Sequence, residues 1–270
     1  MTLVSCYYPD FQISSSFAIP KHLQDLLHKV WQRHYEELYE EDGEGTISLE
    51  ETLEEVLDAL HNQEDILGHS RYVLMALILA LAVQPTVEAY LPDDTRPRII
   101  LILIAIWLSK VIKTSSSDNY AIIIMRTSET PVQLTEEANM PDGKSSEVIS
   151  RWFEEIGSAK PEASLVSDIN NQLFPKRSVG TQAIDEALDV FRNALRVLDS
   201  SQAREALLEI LDDCFEGYAV FPGSHGRRDL FNWWIMEAVP ATWCLQFPQV
   251  VYTMKGLQKL NGNLLTGFSH

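Results

Sequence analysis

The sequence predicts a mainly α fold: a multi-helix globular bundle with buried central helices and at most two short strands. Three observations lead there. Apolar residues recur at three- and four-residue spacing along most of the chain, the period of a helix with one buried face. Two runs, Tyr72–Val83 and Ile99–Leu108, are apolar on every side yet only twelve and ten residues long, which suits the middle of a large helical core. With 46% hydrophobic and 22% charged residues among 270, the chain can bury such a core and is too apolar for a disordered one.

The first twenty residues read as irregular, with a short strand expected at Leu3–Tyr8. From Pro20, Leu23, Leu27, Val30, Trp31, Tyr35 and Leu38 predict a helix running to Leu38 and Tyr39. Gly43 and Gly45 interrupt it, and Leu49, Leu53, Val56, Leu57 and Leu60 mark a second amphipathic helix. Gly68 or Ser70 introduces the buried helix Tyr72–Val83, which Gln84-Pro85 is expected to end. Pro97 sits early in the next helix, where its missing N–H costs nothing. Lys113–Ser146 is rich in Ser, Thr, Glu and Pro and reads as a connection, apart from the β-prone Tyr120–Met125. Gly157–Thr181, with Pro161 and Pro175, reads as a second loop region. Ala183–Leu198 and Ala203–Phe215 are strongly periodic helices. The aromatic-rich helices Leu230–Val239 and Ala241–Met254 follow, parted by Pro240, and the tail after Gly256 is expected to fray. This divides the chain into a lobe at 1–113, a connection at 114–146 and a lobe at 147–270, or one continuous domain.

The formal net charge of −18 argues against nucleic acid as a ligand, because a phosphate backbone would be repelled. It suits a metal cation or a basic protein partner. Cys6, Cys214 and Cys244 are odd in number and far apart, as expected of reduced cytoplasmic thiols rather than a disulfide framework. MTLVSCYYPDFQ lacks the basic and long apolar regions of a signal peptide. No membrane span is expected either, since each apolar run is about half of the ~20 residues needed.

The strongest chemical motif is Glu40–Glu51, EEDGEGTISLEE. Carboxylates alternate at Glu40, Asp42 and Glu44, Gly45 permits a sharp turn, Thr46 offers a carbonyl, and Ser48 and Glu51 complete a twelve-residue frame. Residues Lys21–Leu60 thereby resemble a single EF-hand. The resemblance implies Ca2+ held by the side chains of Glu40, Asp42 and Glu44, the Thr46 carbonyl, Ser48 directly or through water, and Glu51 bidentately. The same Ser48-x-x-Glu51 also reads as a capping box at a helix start.

Two further groups stand out. Asp212-Asp213-x-x-Glu216 has the DDxxE form that holds magnesium in helical terpene synthases, and equally suits a solvated helix end. Phe221–Trp234 places Ser224, His225, Arg227 and Arg228 on a turn entering an aromatic helix. The arginines could take an anion or partner carboxylate, or tie down Asp212 or Asp213. Finally, Asp94, Arg96, Pro97, Arg98 and Trp107 resemble a helix start found in an all-helical family of bacterial toxin-immunity proteins. That resemblance implies a non-catalytic protein that neutralises a basic target by contact. The expectation is thus a non-enzymatic helical protein that binds Ca2+ and a protein partner. The first alternative is an acidic immunity or adaptor protein with a purely structural loop, and the second a magnesium-dependent diphosphate enzyme.

Overall fold

Helix α3, Asp65–Tyr90, is the hub of the molecule. A computed structural model describes residues 10–39, 47–61, 65–112, 146–156, 161–174, 182–217, 226–253 and 256–259. Around α3 lie α1 (Lys21–Gln32), α2 (Leu49–Leu60), α4 (Arg96–Val111), α5 (Ser146–Ile156), α6 (Ala163–Leu173), α7 (Gln182–Arg196), α8 (Ala203–Gly217), α9 (Arg227–Trp233) and α10 (Val239–Trp243). Strands β1 (Val250–Thr253) and β2 (Gly256–Lys259) form an antiparallel pair, with Val250 opposite Lys259. The mainly α class follows directly.

Helices α2, α4, α7, α8 and α10 and strand β1 all pack against α3. Because it has neighbours on every side, α3 needs no polar face, and residues Tyr72–Val83 are all buried. The antiparallel α7–α8 pair supplies the most extensive helix–helix contact, joined by a short turn at residues 197–202. Side chains from before residue 113 and after residue 146 enter one core, centred on Trp107, Phe191, Trp233 and Trp234.

Several boundaries differ from expectation. Helix α3 runs through Pro85 to Tyr90. The ring removes a hydrogen bond to the Leu81 carbonyl, but Val83, Thr86 and Val87 are buried around it, and packing outweighs that loss. The resulting helix is long and apolar enough, by composition, to cross a membrane over Leu67–Tyr90. Length therefore does not settle the membrane question; burial bears on it, since 78% of that helix's most apolar window is covered by protein.

Pro240 does not separate two helices. The turn before it, Trp234–Ala238, is π-helical, with the Val239 N–H bonded to the Trp234 carbonyl five residues back. Such widening makes room for a proline ring that would strike a regular helix. The helix then stops at Trp243, well before Met254. Leu245 adopts φ 52°, its N–H bonds the Thr242 carbonyl, and the Gln246 N–H bonds the Ala241 carbonyl at 2.9 Å. This is a Schellman stop built on leucine instead of the usual glycine. Past it the chain forms the hairpin, and Tyr252 is buried beside Trp233, ring centroids 5.8 Å apart. Residues 256–259 are thus a strand where fraying was expected. Helix α6 lies inside the segment read as loop, burying Val166, Ile169 and Leu173. The strands expected at Leu3–Tyr8 and Tyr120–Met125 lie outside the described residues.

Candidate functional site

The region before the acidic segment departs from the expected helix–loop–helix. Helix α1 ends at Gln32, with Arg33 extended (ψ 150°). Tyr35 is buried, its hydroxyl donating to the Val30 carbonyl at 3.1 Å, and only a 3-10 turn, Glu36–Leu38, precedes the segment. No continuous helix enters it. On the far side, α2 begins as predicted. Ser48 Oγ accepts the Glu51 N–H at 3.3 Å, which is the forward half of the capping box. Glu37 reaches across and accepts the Leu49 N–H through Oε1 at 3.1 Å, while its Oε2 is buried without a partner. Both carboxylate and hydroxyl complement the positive end of α2. Glu40, Asp42, Glu44 and Thr46 lie outside the described residues, and Glu51 is exposed. Ser48→Ala is expected to cost about 1 kcal/mol, read as a lower urea midpoint at unchanged slope.

The paired aspartates on α8 part company. Asp212 faces outward, whereas Asp213 turns toward α7, where Asn193 Nδ2 donates to its Oδ2 at 3.3 Å. Consecutive helix residues point about 100° apart, so the two carboxylates serve different neighbours. The Glu216 side chain is outside the described set, as are Ser224 and His225. Among the described residues no group of three or more His, Cys, Asp or Glu side chains is placed to hold a metal.

Both arginines donate to main-chain carbonyls. Arg227 donates from Nε to the Phe215 carbonyl at 2.8 Å and from Nη1 to the Glu37 carbonyl at 3.2 Å. Arg228 donates from Nη2 to the Trp31 carbonyl at 3.0 Å. Trp31 and Phe215 sit in the last turns of α1 and α8, whose terminal carbonyls need external donors. Two more residues, not singled out by any local pattern, take the same role. Buried Arg71 donates to the carbonyls of Leu60 and Trp243, the last residues of α2 and α10, both at 3.2 Å. Its guanidinium also lies 3.7 Å from the Trp243 ring centroid. His69 Nε2 meets the Val197 carbonyl at 2.8 Å just past α7, and burial lowers its pKa, so it acts as a neutral donor.

The Asp94–Trp107 motif is built into the framework. Asp94 Oδ1 accepts the Arg96 N–H at 3.0 Å, starting α4, and its carboxylate also binds the Arg96 guanidinium. Arg96 and Arg192 each lie 5.1 Å from the Phe174 ring centroid. Trp107 is buried, 5.0 Å from the His69 ring.

Three segments singled out separately do converge. A cleft of about 570 Å³ between α2 and α8 is lined by Glu37, Ser48, Glu50, Glu205, Asp212 and Arg227, among others. Ser48 comes from the acidic segment, Asp212 from the DDxxE run and Arg227 from the start of α9. Glu209 also lines it and is ion-paired with Arg196. Five carboxylates thus face a space whose one lining arginine is already engaged by carbonyls. No protein-family model matches the chain, and no curated protein or solved structure shows significant similarity to it.

Proposed function

We propose that this is a non-enzymatic helical protein that works by binding, and that the cleft between α2 and α8 receives a cationic group of a basic protein partner. The observation that carries this reading is the excess of carboxylates there. Glu37, Glu50, Glu205, Glu209 and Asp212 surround one space, against Arg227 inside and Arg196 at Glu209. A lysine or arginine entering it would meet oxygen acceptors on both walls, and the long-range field of a −18 protein would steer such a partner inward. The Asp94–Trp107 resemblance agrees with a basic toxin as the partner. Asp212 and Asp213 face different neighbours, so the diphosphate reading gains no support.

Calorimetry with a lysine-rich peptide tests this. Binding is expected at low salt, with loss in an Asp212→Asn/Glu205→Gln double variant. Attraction by net charge alone would leave that variant binding almost as tightly as the parent, and such a result would reject the cleft.

A second reading keeps Ca2+ at Glu40–Glu51, supported by Ser48 standing at the N-cap of α2 with Glu51 in its first turn. Bound ion should raise the melting temperature in proportion to RT ln(1 + [L]/Kd). No shift between millimolar Ca2+ and EGTA, or the same shift in Glu51→Gln, would dismiss it.

A further inference from the structure

On the reading of the α2–α8 cleft as the seat of a basic partner, we propose that the group entering it is the guanidinium of an arginine, carried on a segment with an apolar side. The molecule already holds one such arrangement. Arg204 leaves the first turn of α8 and lays a fork on α2: Nε donates to Asp58 Oδ1 at 2.9 Å and Nη1 to Glu54 Oε1 at 3.4 Å. Glu54 and Asp58 stand four residues apart, so they share a helix face that one planar guanidinium can span. At the far end of α8, Arg227 divides the same two nitrogens between the carbonyls of Phe215 and Glu37. Helices α2 and α8 therefore run antiparallel, and the cleft occupies the stretch between these two brackets.

The spacing that seats Arg204 recurs along both walls. Glu50 lies four residues before Glu54, and Glu205 four before Glu209. Glu54 is engaged by Arg204 and Glu209 by Arg196, through one oxygen each. Among the described residues neither Glu50 nor Glu205 is ion-paired, and both are exposed. Glu37 Oε2, in the same lining, is buried without a partner. A guanidinium presents five donors in a rigid plane and can bridge two carboxylates, as Arg204 does; an ammonium is a compact, strongly hydrated point that meets them singly. Between the acidic groups the lining is apolar, made by Leu49, Leu53, Leu208 and Phe215. Those side chains suit the methylene stem of the arginine and an apolar neighbour beside it. The space of about 570 Å³ is in the size range of sites that take a whole ligand.

Calorimetry on the full-length protein with two synthetic peptides tests the assignment. They share length, charge and an apolar stripe, and differ only in carrying arginine or lysine throughout. The arginine peptide is expected to bind about tenfold more tightly, the worth of one further charge-assisted hydrogen bond. Glu50→Gln/Glu205→Gln, at two exposed positions that leave folding intact, should shrink that ratio below about twofold. Equal affinity for the two peptides, weakened alike in the double variant, would overturn the arginine assignment and leave the cleft as the basic site. A preference for arginine that survives the variant would belong to the peptide and would also overturn it. No binding of either peptide would remove the assignment and the cleft reading together. An arginine peptide with serine along its stripe should bind more weakly than its parent, and undiminished binding would overturn the apolar seat.

Discussion

Arg71→Ala is expected to destabilise the protein by about 3–4 kcal/mol, more than a typical point substitution. Arg71 joins three elements: it rises from α3 and holds the last carbonyls of α2 and α10. Removing it leaves two buried acceptors unpaired, at about 1–3 kcal/mol each. Its stacking on Trp243 is worth about 1–2 kcal/mol more. Relief from burying a cation that has no carboxylate among its hydrogen-bond acceptors offsets part of that sum. Arg71→Lys should recover less than half, because one ammonium cannot span two carbonyls as a planar fork does. Urea unfolding at constant slope gives the value. A loss under about 1 kcal/mol for the alanine variant would mean that water replaces the guanidinium at both helix ends.

The second large effect is expected at the centre of α3. Leu77 is wholly buried, with apolar neighbours throughout the helix. Leu77→Lys would place an unpaired ammonium there, and more than about 5 kcal/mol should be lost, comparable to the entire margin of many domains. Loss of near-ultraviolet circular dichroism and of a cooperative melt would register it. Ala89→Lys, on the exposed end of the same helix, should change stability by no more than about 0.5 kcal/mol. If Leu77→Lys folded as well as Ala89→Lys, the packing around α3 would be wrong.

These effects also mark what could and could not be read from the chain. Helices α7 and α8 were legible because their apolar stripes are regular: Ala187, Leu188, Val190, Phe191, Ala194 and Leu195 lie buried along α7. The stop at Leu245 was not, because nothing local advertises a left-handed leucine, and the cost of about 1 kcal/mol or more is met by tertiary packing. Helix α6 was hidden by the prolines that flank it, although Val166, Ile169 and Leu173 already carried the helical spacing. The π-turn before Pro240 is a backbone adjustment with no residue signature of its own.

The candidate site divides in the same way. The capping role of Ser48 was readable because cap and partner are three residues apart. The cleft was not, since Glu37, Asp212 and Arg227 meet only after α2, α8 and α9 pack. The destinations of the arginines were equally hidden. Arg227 and Arg228 were expected to answer anions, yet main-chain carbonyls take them: Phe215 and the distant Glu37 for Arg227, and Trp31, 197 residues away, for Arg228. Local pattern reports periodicity and caps; a donor's distant acceptor is fixed by topology.

The use of guanidinium groups as brackets has an electrostatic corollary. The chain holds 21 lysines and arginines against 39 acids, and Arg71 is buried while Arg227 and Arg228 are half-buried on main-chain oxygens. Main-chain oxygens carry no formal charge, so these bonds themselves neutralise no carboxylate. The solvent-facing shell is therefore more anionic than the overall tally suggests, and the protein should gather a dense counterion atmosphere that any basic visitor must displace.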